Sequence, residues 1–122
     1  MTNGLNLLAA TVVAFALAGC ASQAKSDLVA SAEKAVRHVA TDPGSVQFRE
    51  VRVVQLESAA GKAPIVCGEF NAKNRLGGYT GFEPFAWHPD GKLLARSLFP
   101  REGQSIADAG IASLCAGVLP QI

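Results

Sequence analysis

The chain has 122 residues, of which 11 are Lys or Arg and 10 are Asp or Glu, so its formal net charge at pH 7 is +1. This length suits one small domain, and the near-neutral charge gives no electrostatic basis for binding nucleic acid or anionic lipid. The three cysteines form no C-x-x-C pair and only two histidines could join them, so neither a metal site nor a cofactor is predicted.

The first twenty residues, MTNGLNLLAATVVAFALAGC, are uncharged and mostly apolar. Their apolar run, residues 5–17, is shorter than the about 20 residues that span a bilayer, but it has the length found in a secretory signal. The alternative is a buried N-terminal helix ending in an ordinary cysteine, which the lack of a helical apolar stripe disfavours. We therefore predict a signal peptide over residues 1–19.

The end of this segment, Leu17-Ala18-Gly19-Cys20, resembles the lipobox of bacterial lipoproteins. The resemblance implies cleavage after Gly19 and a membrane anchor of acyl chains, such as palmitate, on Cys20. In the sorting scheme of enterobacterial lipoproteins, Ala21 in place of Asp implies the outer membrane, with the protein facing the periplasm. Stable anchoring takes more than one acyl chain, which a mature lipoprotein would carry.

The other two cysteines, Cys67 and Cys115, form an even pair in a chain predicted to be exported. An oxidising compartment permits a disulfide between them. Two free buried thiols are the main alternative. We predict the Cys67–Cys115 disulfide.

The mature chain is predicted to begin with a tether over residues 20–26, followed by a domain over residues 27–122. The stretch SDLVASAEKAVRHVAT has apolar residues at helical spacing, with Ser26 or Asp27 as the N-cap, and Pro43 should end the helix near Thr41. The apolar positions are Leu28, Ala32, Ala35, Val36 and Val39. An amphipathic helix lying on a sheet is predicted.

Four strands are predicted next. The first is SVQFREVRVVQL, with a bulge near Arg49 and Glu50 because the alternation of apolar residues changes parity there. A turn over residues 58–64 precedes IVCGEFNAK, and YTGFEPFAW is the third strand, where Pro84 indicates an edge or an irregularity. A Pro-Asp-Gly turn over residues 88–91 leads into the fourth strand, KLLARSLF.

A second helix is predicted from a capping box over residues 105–108 and from one apolar face. That face contains Ile111, Leu114, Cys115 and Val118. Short turns favour antiparallel pairing, so we predict a small single α+β domain with an N-terminal helix, a four-stranded antiparallel meander and a C-terminal helix. Both helices are expected on one face of the sheet.

Catalytic readings of the glycine-rich segment, residues 66–85, are weak. Its glycines match neither G-x-G-x-x-G nor G-x-x-x-x-G-K-[ST], the spacings of phosphate-binding loops. Cys67 as a nucleophile would need His38 or His88, and the disulfide would remove its thiolate. A hydrolase using Glu69 and Glu83 is conceivable, but ordinary surface residues on neighbouring strands explain the same pair.

A binding surface is the stronger hypothesis for this segment. With Trp87 just beyond it, the segment accounts for five of the chain's eight aromatic residues. An exposed aromatic beside amides would suit contact with a sugar or a protein. The candidate residues are Asn71, Asn74, Arg75, Tyr79 and Trp87. The alternative is that the aromatic residues all belong to the core or to edge packing.

The runs DPGSVQFR and CGEFNAKNRLGGYTGFEPF resemble elements of small uncharacterised bacterial envelope proteins, over roughly residues 42–87. The resemblance brings no activity, but it implies one shared structural or binding element. Its members would be Asp42, Cys67, Asn71, Asn74, Gly77, Gly78, Tyr79 and Gly81. We expect a non-catalytic module that binds an envelope component, as an inhibitor, immunity protein or accessory subunit; the alternative is a protein that binds or hydrolyses peptidoglycan or another glycan.

Overall fold

The computed structural model describes residues 6–117, with side chains from Gly19 onward. The main elements follow the chain as α1 (Asn6–Val39), β1 (Gln47–Ser58), β2 (Gly61–Asn71), β3 (Glu83–Trp87), β4 (Leu93–Ala95) and α2 (Gln104–Cys115). The strands pair antiparallel in the order β1-β2-β3-β4. The predicted α+β architecture of helix, meander and helix is confirmed.

The predicted signal peptide is only partly covered by this description, and Val118 of the predicted second helix lies outside it. Residues 1–5 and 118–122 lie outside it, and residues 6–18 are described as helical backbone alone. Within the described ranges, no helix has both the length and the apolar character needed to cross a membrane.

Helix α1 corrects the prediction of a tether and an N-cap at Ser26 or Asp27, because residues 20–26 are helical. The segment CASQAKS contains neither Pro nor Gly, and its Ala, Gln and Lys residues favour a helix. The amide of Gln23 also donates to Asp27 Oδ1 one turn later, at 3.1 Å. Every residue from Gly19 to Asp27 is exposed, so this part of α1 is a helical spacer.

The two helices cover opposite faces of the sheet, so the prediction that both lie on one face is wrong. Central strands β2 and β3 carry apolar residues at both parities, as in Ile65-Val66-Cys67 and Phe85-Ala86-Trp87, and each face therefore needs a cover. The cluster under α1 contains Ala32, Val36, Val46, Val66, Phe70, Phe85, Trp87 and Ala95. The cluster under α2 contains Leu56, Ile65, Cys67, Ala86 and Ile111.

The predicted bulge in β1 is confirmed. The register with β2 shifts between Arg49 and Arg52, and Glu50 takes a left-handed conformation with φ of 55°. Opposite the bulge, a Cβ on Gly68 would lie 3.0 Å from Val51 Cα and 3.1 Å from the Phe85 ring. Gly68 therefore lets the bulged strand and this ring approach closely.

Three predicted boundaries are wrong, although the strands exist. The turn before β2 is two residues, Ala59-Ala60, and not residues 58–64. Strand β3 begins at Glu83, and β4 ends at Ala95, after which a 3₁₀ turn follows.

Pro64 and Pro84 both lie within strands. Strand β3 pairs with β2 only from Val66 onward, and β4 with β3 only from Phe85 onward. Each proline is therefore at a local edge, where its missing N–H costs no ladder hydrogen bond.

The Cys67–Cys115 disulfide is confirmed, with the two Cα atoms 5.9 Å apart. It joins β2 to the last residue of α2.

The predicted capping box is wrong, because α2 begins at Gln104 with Gly103 as its N-cap and no side chain caps it. Ser105 is an exposed residue inside the helix, and Asp108 lies 3.6 Å from Arg96 Nη1 instead of reaching back to a cap.

Candidate functional site

The connection between β2 and β3, residues 72–82, is a loop built around Asn74. Asn74 N donates to Gly78 O at 2.9 Å, and Gly77 N donates to Asn74 O at 3.0 Å. Asn74 Oδ1 also accepts from the backbone N–H groups of Leu76 and Gly78, at 3.0 and 3.2 Å. Gly77 has φ of 83°, a conformation that other residues resist. The Asn74 side chain thus closes the loop, as an Asx turn does.

Asn71 and Trp87 do not belong to an exposed binding surface, contrary to the sequence prediction. Asn71 is 8% exposed, and its Oδ1 accepts from Gly81 N at 3.0 Å. Trp87 is 7% exposed and packs in the cluster under α1. Both are buried because they occupy the paired ends of strands that helix and loop cover.

The 72–82 loop is braced by the segment just before β1. Ser45 Oγ donates to Asp42 O at 2.8 Å and accepts from Lys73 N at 2.9 Å, while Tyr79 Oη donates to Ser45 O at 3.0 Å. Arg37 from α1 fixes the same segment, since its Nη1 donates to Pro43 O at 2.9 Å. The two motifs that are separate in sequence are therefore in direct contact.

A second bracing group surrounds Arg49. Its Nε donates to Glu69 Oε2 at 2.6 Å, and its guanidinium carbon lies 4.0 Å from the centre of the Phe82 ring. The hydrogen bond from Arg49 lowers the pKa of the Glu69 carboxyl below its usual value. Glu69 is thus held ionised in an ion pair, which does not suit a general acid.

The two carboxylates of the hydrolase hypothesis face opposite sides of the sheet. Glu69 pairs with Pro84, and Glu83 pairs with Phe70 one position away, so their side chains alternate. Glu69 lines a cleft of about 400 Å³ with residues of α2. Glu83 lines a cleft of about 220 Å³ beside the end of α1, and its Oε2 accepts from Ser97 N at 2.9 Å. The pair therefore does not flank one substrate position.

The nucleophile hypothesis fails on similar grounds. Cys67 is fully buried in its disulfide, and His38 is an exposed residue on α1. His88 belongs to the β3–β4 turn, where its Nδ1 accepts from Asp90 N at 3.1 Å. Asp90 accepts in turn from the backbone N–H of Lys92, which lowers the pKa of its carboxyl. Between residues 6 and 117, no group of three or more possible metal ligands is present.

The loop is exposed over residues 74–81, which include its tip. Leu76 is 95% exposed, its neighbour Arg75 is exposed, and Tyr79 is 44% exposed. Sequence reasoning selected Arg75 and Tyr79 but missed Leu76. The sequence feature that could have identified Leu76 is its position as an isolated large apolar residue between the turn residues Asn74 and Gly77. An exposed loop ordinarily has a polar residue there.

Comparison with known proteins gave no match to a family model, to a curated protein or to a solved structure.

Proposed function

We propose that the protein is a lipoprotein anchored to the outer membrane through Cys20, facing the periplasm, and that it acts as a non-catalytic module that binds another envelope protein. The supporting observation is the braced 72–82 loop, which presents Leu76 and Arg75 at its tip. An inhibitor, an immunity protein and an accessory subunit are the specific forms that this activity could take.

A loop of this kind is suited to protein recognition. Its conformation is fixed by four internal hydrogen bonds around Asn74 and by the contacts of Ser45 with Lys73 and Tyr79, so little ordering entropy is lost on binding. An exposed apolar side chain fits the apolar centre of an interface, and Arg75 fits an acidic rim. The expected partner therefore has an apolar depression bordered by carboxylates.

The position of the anchor favours the same surface. The last turn of α1 lies beside the loop, since Val39 and Thr41 line a cleft together with Lys73 and Asn74. At 1.5 Å per residue, Cys20 lies about 28 Å from Val39 along the helix. A lipid on Cys20 would therefore leave the loop tip facing away from the membrane.

Photo-crosslinking tests the loop as the contact site. A photoreactive amino acid at position 76 should give one discrete protein adduct in cells, whereas the same group at Ala59, in the opposite hairpin, should not. Asn74→Ala should remove the adduct, because the loop loses the oxygen that accepts from two backbone amides, while the domain stays folded. Equal adducts at positions 59 and 76, or an adduct unaffected by Asn74→Ala, would contradict the proposal.

Lipidation is tested independently of the partner. Cys20→Ser should abolish incorporation of labelled palmitate and leave the signal peptide uncut. Ala21→Asp should move the lipidated protein from the outer to the inner membrane fraction in an enterobacterial host. A lipidated Cys20→Ser product would refute the assignment of the anchor.

One observation favours glycan binding as a second candidate. Tyr79 is 44% exposed, and Thr80 next to it lines the cleft that contains Glu83 and Asn74. Stacking on a sugar ring would use this aromatic face. Soluble wall fragments should then bind the domain, and Tyr79→Ser should weaken that binding more than Leu76→Ser does; no binding to wall fragments would exclude this candidate.

A further inference from the structure

An open groove of about 720 Å³ lies between the C-terminal half of α1 and the turn that joins β3 to β4. It is separate from the 72–82 loop and has no role in the proposed protein contact. Volumes of this order are typical of sites for small ligands.

The groove exists because the sheet is wider than the helix that covers it. Four strands about 4.8 Å apart span about 14 Å between the outer strands, whereas a helix is about 10 Å wide. Helix α1 contacts β1 and β2. Beside it, an apolar floor remains, formed by Ala35 and Val39 from the helix and by Trp87 and Leu93 from β3 and β4.

The ionisable residues that line the groove are all basic in type. Lys34 and His38 lie one helical turn apart on α1, and Arg37 is between them in sequence; no Asp or Glu lines the groove. Arg37 already donates to Pro43 O and stacks on Phe48, with its guanidinium carbon 5.1 Å from the ring centre. Lys34 and His38 are exposed and are therefore the side chains placed to meet a ligand.

Helix electrostatics explain only part of this pattern. Basic residues in the last turn offset the partial negative charge at the end of a helix, which accounts for Arg37 and His38. Lys34 is too far from that end for this effect, which falls off within the last turn. It is consequently the residue that distinguishes a ligand site from simple helix stabilisation.

We infer that this groove binds a single-chain amphiphile with an anionic head group, either a carboxylate or a phosphate. The alkyl chain lies on the floor formed by Val39, Trp87 and Leu93, and the head group lies against Lys34 and His38. Removing the chain from water drives binding, and the basic residues select the charge of the head group.

The single tryptophan of the chain provides the readout, because Trp87 forms part of the floor. The chain from residue 20 with Cys20→Ser is suitable for the assay. Both core clusters lie between Leu28 and Cys115, and residues 19–27 are exposed, so this form keeps every core contact. Decyl phosphate, decanoate, decyltrimethylammonium and inorganic phosphate are titrated below their micelle concentrations, following Trp87 fluorescence and the heat of binding.

Both anionic amphiphiles should bind at one per protein, and the cationic one at least about tenfold more weakly, because opposite charges attract across the groove. Lys34→Glu should weaken anionic binding by at least about tenfold, whereas the matched change Lys25→Glu, on the exposed spacer of the same helix, should leave it within about twofold. Near-ultraviolet circular dichroism verifies that both variants are folded.

Several results would overturn the inference. They are the absence of saturable binding of either anionic amphiphile, equal affinity for the cationic one, and an unchanged affinity in Lys34→Glu. Inorganic phosphate binding as tightly as decyl phosphate would also refute it, since the apolar floor would then contribute nothing. Each outcome is independent of the protein partner, so it bears on the groove and not on the proposed function of the loop.

Discussion

Single residues in the glycine-rich segment mostly hold backbone groups. Asn71 and Asn74 accept from amides at Gly81, Leu76 and Gly78, so their oxygens are used in building the loop. Removing an oxygen of this kind leaves donors without a partner, which costs about 1–3 kcal/mol where they are buried. The residue types that suggested ligand binding in the sequence are thus explained by the demands of the loop.

Gly68 is a residue whose missing side chain matters. Gly68→Ala should lower the free energy of unfolding by about 1–3 kcal/mol, because the new methyl group meets the backbone of Val51 and the Phe85 ring in a packed core. Urea unfolding measures this. Gly110→Ala is the matched control: nothing lies within 4 Å of a Cβ there, and alanine should stabilise α2 by about 0.5–1 kcal/mol. Equal effects at both positions would contradict the packing argument.

The Arg49–Glu69 ion pair makes stability depend on pH. Because the pKa of Glu69 is lowered in the folded state, its contribution is fully present above the unfolded value of about 4.3 and is lost as the pH falls through the lower folded value. Glu69→Gln should therefore show a smaller loss of unfolding free energy than the parent between about pH 4.5 and pH 2.

Urea unfolding at several pH values between 7 and 2 tests this dependence. A Glu69→Gln profile identical to that of the parent would show that the ion pair does not contribute.

Among the elements, α2 depends most on a single bond. Within α2 (Gln104–Cys115), only Ala107 and Ile111 are buried, and the disulfide joins its last residue to β2. Such a short helix is marginal without tertiary contacts. The disulfide and the small cluster around Ile111 therefore hold α2 against the sheet together.

Removing the disulfide should detach this helix before the rest of the domain unfolds. The bond closes a loop of 48 residues, and a loop of that size corresponds to about 4 kcal/mol in the chain-entropy model. Cys67→Ala/Cys115→Ala in a Cys20→Ser background should lose about that much unfolding free energy, and amide exchange should accelerate in α2 more than in β1 and β2. Uniform acceleration across the sheet and α2 would contradict the separate role of α2.

Thiol labelling verifies the bond itself. The unreduced Cys20→Ser protein, unfolded in denaturant, should contain no reactive thiol. Labelling of both Cys67 and Cys115 under those conditions would show that the disulfide does not form.

In the whole molecule, the exposed spacer and the packed α+β domain share one helix, α1. Ala24 lies in the exposed part of α1, while Ala32 lies in the same helix and is fully buried. Residues 20–27 therefore join the packed part of the domain through a continuous helix and not through a loose linker. This arrangement would hold the domain at a set distance from a membrane.

Two proline substitutions distinguish these parts of α1. Ala32→Pro should cost about 3 kcal/mol or more, because it removes a helical hydrogen bond in the packed segment. Ala24→Pro should change the unfolding free energy of the packed domain by less than about 0.5 kcal/mol, since position 24 is exposed and makes no contact with either core cluster. Thermal and urea unfolding of the two variants measure the difference, and a similar loss in both would show that the spacer supports the core.

Local sequence patterns were sufficient to predict the class of fold, the number of strands, the β1 bulge and the disulfide. Each rests on a local pattern: apolar spacing for α1, the change of parity at Arg49, the Pro-Asp-Gly turn, and an even pair of cysteines. Patterns of this kind are read directly because they reflect the period of a helix or strand and the geometry of a turn.

Which surfaces are exposed could not be predicted from these local patterns and was established by the tertiary structure. It placed α1 and α2 on opposite faces, buried Asn71 and Trp87, separated Glu69 from Glu83 across the sheet, and left Leu76 exposed. Strand positions with apolar residues at both parities do not state which helix covers which face, and an amide side chain does not state whether it meets a ligand or a backbone group. Both depend on contacts between segments distant in sequence, here chiefly those of Ser45 and Arg49 with the 72–82 loop and β2.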